Sequence, residues 1–155
     1  MVRSMSEQSE HPSTRQLWAQ LFQSESVDVF FTLNSDTSEL PCFSDYITIL
    51  CQNRNEKPER VIKRTNMERS YGHRLFSGTR QPSRDTVLQF AFALELNVDE
   101  TQQLLKVARA TPLHPKVKRD AVIAYCLHRG KTLTEAQLLL YEHHLPQLGG
   151  AKNEI

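Results

Sequence analysis

The stretch from Arg84 to Leu96 constrains the chain most. Val87, Leu88, Phe90, Ala91, Phe92 and Leu94 cover most of the girth of a helix there, not one stripe of it. A helix apolar nearly all round must be surrounded by other elements. Ser83 before it and Asn97 after it are good N-caps. The pattern therefore predicts a central buried helix over 84–96 and a second helix over 98–110, with Leu104, Leu105 and Val107 facing inward.

The remaining segments also read as helices. Leu17, Trp18 and Leu21 share one face of a helix over 14–23, and 27–31 is read as a helical turn because no second strand is present to pair with it. Ser44 is the expected N-cap of a helix over 45–53, which carries Tyr46, Ile47, Leu50 and Cys51. Pro58 suits the first turn of a helix over 58–65, since its missing N–H would be unpaired there anyway. A helix over 68–76 is stopped by Gly78. Two more follow, to His128 with Gly130 as the stop, and over 133–144 behind the capping box Thr132-Leu133-Thr134-Glu135. The fold class is all-α. Residues 1–13 read as a disordered start, 14–43 as an N-terminal helical extension, 111–146 as a C-terminal helix pair and 147–155 as a frayed tail.

A chain of 155 residues can bury a core without staples. No apolar run nears the roughly 18 residues of a membrane span, and no signal-peptide core opens the chain. Three widely spaced cysteines, Cys42, Cys51 and Cys126, fit thiols in a reducing compartment. These features predict a cytoplasmic chain. His128, His143, His144 and Cys126 match no zinc spacing, and no nucleophile elbow, phosphate loop or dinucleotide glycine pattern occurs. Neither an enzyme nor a metal or cofactor is expected.

Charge is unevenly placed under a net of +1. Residues 1–50 carry a balance of −5, residues 54–84 one of +6, and the rest is neutral. A concentrated basic segment is a nucleic-acid footprint or a solvated charged face. Its layout favours the former. Two short helices around Asn66-Met67, the second polar and basic on one side, match a helix-turn-helix. Arg69, Ser70, His73 and Arg74 can lie outward, with Tyr71, Leu75 and Phe76 inward or along the seam.

At these residues the sequence resembles the XRE/Cro/C1-like helix-turn-helix family. Ser77-Gly78-Thr79-Arg80-Gln81-Pro82-Ser83, followed by Val87 and Leu88, resembles that family's Gly-Lys-Arg-x-Pro-Ser turn into its fourth helix. Val61-Ile62 falls where Leu-Ala is usual, and Asn66 at the turn glycine. The likeness spans 44–110, the five-helix core. Phe76-Ser77-Gly78, Pro82-Ser83-Arg84-Asp85, Leu104-Leu105 and Arg119-Asp120-Ala121-Val122-Ile123 are similar to a bacterial subgroup with an added C-terminal helix pair. Pro58, Gly72 and Phe76 depart from the family pattern. The resemblance implies a DNA-binding transcription regulator acting as a homodimer on double-stranded DNA. It places Arg69, Ser70, Tyr71, His73 and Arg74 on the recognition helix and Thr79 and Arg80 on the backbone-contacting turn. Lys63 and Arg84 are added as phosphate contacts. The alternative is a protein-interaction adaptor using 14–43 or 115–144; exposed Leu138 or Tyr141 would favour it.

One further pattern crosses these segments. Residues 84–105 and 119–140 share seven identities in 22 positions at an offset of 35, including Arg84-Asp85 with Arg119-Asp120, Gln102 with Gln137 and Leu104-Leu105 with Leu139-Leu140. Chance likeness between amphipathic helices is the competing reading. If the echo is real, each Arg-Asp pair opens its helix alike, with Arg binding a carboxylate or a phosphate. Two copies are too few for a solenoid array.

Overall fold

The computed structural model describes residues 13–33 and 41–149, all helix and connection with no strand among them. The chain divides into two units, residues 1–40 and 41–155. The first twelve of the thirteen residues expected to be disordered, and residues 34–40 of the N-terminal extension, lie outside the described residues.

The first unit holds α1 (Thr14–Gln23) and α2 (Val27–Leu33). Ser13 and Gln16 close a capping box on α1, each side chain accepting from the other's backbone N–H. No residue of either helix is buried. Trp18 stacks on Phe22 at 5.5 Å, and Leu17, Trp18, Leu21 and Phe30 line a shallow apolar hollow.

The second unit contains α3 (Phe43–Asn53), α4 (Pro58–Thr65), α5 (Arg69–Ser77), α6 (Arg84–Ala93), α7 (Val98–Val107), α8 (Lys118–His128) and α9 (Leu133–Glu142). The apolar girth of α6 places it at the centre, packed against α4, α7 and α9. Phe90 is fully buried there, with Phe43 tilted against it at 6.1 Å and Phe76 edge-on at 5.7 Å. The C-terminal pair is thus no separate lobe: α8 packs on α7 and α9 on α6, within one compact unit.

Several boundaries differ from expectation, for one recurring reason. The helix over 84–96 ends at Ala93 and that over 98–110 at Val107 because Glu95 (φ 57°) and Arg109 (φ 60°) turn left-handed. The N–H after each returns to a carbonyl five residues back, Leu96 to Ala91 and Ala110 to Leu105. This is the closure glycine usually provides. His144 (φ 59°) ends α9 the same way, two residues before the expected end. At the other end of α3, Ser44 is not the cap. Phe43 is already helical and buried, so the cap falls on Cys42.

The sequence echo is a structural repeat. Arg84 donates to the carbonyls of Thr111 and Pro112; Arg119 donates to those of Pro146 and Gln147, 35 residues on. Gln102 clasps the backbone of Leu113 through both N–H and C=O, and Gln137 does the same to Leu148. Each Asp serves the opposite copy. Asp120 accepts from Arg84 and from His114 N–H, while Asp85 accepts from Arg119 and from Gly149 N–H. Contacts exchanged in this way relate the copies as the halves of a closed two-fold pair. They also correct the frayed tail, which cannot begin at 147. Leu148 is buried and residues 146–149 are tied down by Arg119, Gln137 and Asp85. The last six residues lie outside the described ones.

Candidate nucleic-acid interface

The basic segment builds two helices in contact, joined by the expected turn. Lys57 precedes α4, with Pro58 at its first position. Asn66 leaves α4 in the left-handed region at φ 62°, a conformation Asn tolerates better than most side chains. Glu68 caps α5 by accepting from Tyr71 N–H, with Ser70 Oγ on the same carboxylate oxygen. These two donors hold the Glu68 carboxyl below the usual carboxylate range, the Tyr71 N–H foremost. Gly78 (φ 86°) ends α5, and the Arg74 carbonyl accepts from the N–H groups of 78, 79 and 80.

Gly72 is the point where α5 meets α4. A Cβ there would stand 2.6 Å from Ile62 Cγ2 and 2.8 Å from Cγ1, closer than real side chains approach. Glycine at this position therefore has a packing cause: no other residue allows this separation between the two helices. Phe76 has one too, its ring against Phe90.

The expected site residues fall into three groups. Lys63, Arg69, Ser70, Arg74, Thr79 and Arg80 are exposed, and His73 is half-buried. Arg69, His73 and Lys63 border a depression of about 590 Å³ between α4 and α5, with Glu59 among its lining. Arg69 Nη2 lies 3.0 Å from Glu59 Oε2, and His73 Nε2 lies 3.9 Å from the same oxygen. Tyr71 sits on the seam. Its hydroxyl is 3.2 Å from Thr86 Oγ1 and the Arg80 guanidinium lies over its ring at 5.5 Å, so its polar end points to scaffold. Arg84 does not join the face. Its guanidinium holds Asp120 and two carbonyls between α6 and α8.

Other cations of the basic segment are also engaged in the fold. Arg64 bonds Glu56 at 2.7 Å and the Ala93 carbonyl at 2.9 Å, tying α4 to the end of α6. Its hydrogen bond to Glu56 holds that carboxyl below its usual range and raises the guanidinium's own. Arg54 reaches Glu100 at 3.0 Å. The charge excess read from 54–84 thus overstates what the surface presents. Glu59 was missed as a member of the site. Its i, i+4 and i+3 neighbours on α4 are Lys63 and Ile62, and only the fold brings it across to Arg69.

Among the described residues, no three His, Cys, Asp or Glu side chains gather as a metal site would require, and no helix is long and apolar enough to cross a membrane. No known family model, curated protein or solved structure matches this chain.

Proposed function

We propose that the chain is a sequence-specific DNA-binding transcription regulator of bacterial or mobile-element type. In this reading α3 to α7 form an XRE-like five-helix core, and two copies bind paired half-sites. One observation carries it: the Gly72–Ile62 contact seats α5 on α4 so that Lys63, Arg69, Ser70, Arg74, Thr79 and Arg80 stay exposed around one helix pair. A recognition helix needs an apolar side to dock and a polar side to enter the major groove. Leu75 is fully buried while Arg69 and Arg74 are not.

The test is binding of the purified chain to its own upstream promoter fragment and to an unrelated fragment at several salt concentrations. Selective binding that weakens with salt is expected. Arg69→Ala with Arg74→Ala should weaken it while circular dichroism stays unchanged. Undiminished affinity in the double variant would remove this surface.

A second reading, a protein-interaction adaptor, is favoured by the outer side of the C-terminal pair. Leu138 is 55% and Tyr141 69% exposed, and Tyr125, at the repeat position of buried Phe90, is 49% exposed. Apolar side chains that adjoin mark contact surfaces more than single ones do, and Leu138 and Tyr141 are neighbours one turn apart on α9. Equal weak binding to both DNA fragments would shift the assignment to this reading.

A further inference from the structure

We infer that Glu59 and Arg69 act as one reading element, selecting a C·G base pair within each half-site; this rests on the DNA-binding reading above. Arg69 is the first residue of α5, where the positive end of the helix disfavours a cation, and the first turn of α5 holds no acid. Glu68 caps this end from outside the first turn, and the carboxylate that meets Arg69 itself comes from the preceding helix. Glu59, at the second position of α4, meets Arg69 Nη2 through Oε2 at 3.0 Å.

Stability does not explain the pair. Its side chains are 77% and 64% exposed, and ion pairs that open to water contribute little. Beside a phosphate backbone, an exposed carboxylate opposes binding. Its place in the lining of the depression between α4 and α5 makes sense if it contacts bases. The carboxylate engages Nη2 of Arg69, and with that side chain 77% exposed the rest of the planar fork stays accessible. Such a fork matches the O6 and N7 acceptors of guanine, and a carboxylate oxygen accepts from cytosine N4. A C·G pair presents both in the major groove. Opposite a thymine O4, the same carboxylate faces an acceptor and repels it.

The experiment is selection from a randomised duplex pool, followed by affinity measurement, with the full chain, Glu59→Gln and Arg69→Lys. The unaltered chain should select a site with a fixed C·G pair. Glu59→Gln should bind unrelated DNA more tightly and lose roughly tenfold discrimination at that pair alone, other positions keeping their preference. Arg69→Lys, which keeps the charge but not the fork, should lose the same preference. Circular dichroism checks folding in both. Unchanged preference at every position in Glu59→Gln, or equal loss at all of them, would overturn the pairing role while leaving DNA binding in place. Absence of any selected site with the unaltered chain would overturn the DNA-binding reading itself, and the pairing role with it.

Discussion

Arg119 grips Asp85 through two parallel hydrogen bonds, Nη1 to Oδ1 and Nη2 to Oδ2, each 3.0 Å long. Thirty-five residues earlier, Arg84 holds Asp120, whose side chain is only 5% exposed. The bidentate geometry and partial burial set these apart from surface ion pairs. Truncating one partner of a buried pair leaves the other charge uncompensated. Asp120→Ala should cost about 3 kcal/mol and Asp85→Ala, in the more open pair, about 2 kcal/mol. Urea unfolding measures both; near-zero costs would show that the clasp is incidental.

The clasp also makes stability depend on pH. Burial works to raise the Asp85 carboxyl, but Arg119 and the Gly149 N–H outweigh it and hold it below the usual carboxylate range. A carboxyl depressed in the folded state stabilises fully above its unfolded value, and that contribution is lost as pH falls through the folded one. The urea midpoint should drop as pH falls through and below the ordinary aspartate range, and Asp85→Asn should flatten part of that drop.

Gly72→Ala tests the close approach of α4 and α5. Helix propensity alone would favour alanine by about 1 kcal/mol. The Cβ at 2.6 Å from Ile62 reverses the sign, and a loss of about 1–3 kcal/mol is expected. Ile62→Ala in the same chain should recover part of it, giving a measurable coupling in a double-mutant cycle. Independent, additive effects would refute the contact.

Glu95 and Gly130 occupy the same position in the two copies, both left-handed, at φ 57° and 68°. Glu95→Gly should stabilise by up to about 1 kcal/mol, and Gly130→Glu should destabilise by a similar amount, since open space around Gly130 leaves only the backbone cost. Thermal unfolding of the two single variants, shifting in opposite directions, is the expected outcome.

Thiol chemistry should separate the cysteines. Burial, with a smaller push from Glu56, raises the Cys51 thiol to about 11 against the pull of Arg64, and burial raises Cys126 likewise. Cys42 is exposed. A thiol reagent at neutral pH should modify Cys42 quickly and the other two only after denaturation, as the thiolate is the reactive form. Fast native labelling of Cys51 would contradict its burial.

Much of the architecture was legible in the residues. The apolar girth of α6, the capping box Thr132–Glu135, Pro58 at a helix start and Gly78 and Gly130 at helix ends all signal locally, and each appears where expected. The left-handed turns at Glu95, Arg109 and His144, which stop each helix two to three residues early, were not legible. These residues are not the glycine or asparagine that usually takes a left-handed turn, so nothing local marks them. The candidate interface was readable only in part. Periodicity places Arg69 and Arg74 outward, but it cannot show that Tyr71 turns to Thr86, that Arg84 crosses to Asp120, or that Glu59 reaches Arg69. Those depend on residues 10 to 36 positions apart.

The crossed clasp also limits how this architecture can grow. In a stacked array each unit passes an unused face to the next, so units can be added at an end. Here Asp85 and Asp120 are both occupied, and both arginines are bound by the opposite copy. A third copy joined in tandem would find neither an acceptor nor a donor left vacant. The number of copies is set at two by valence, and further duplication of the segment would append a separate body, not lengthen this one.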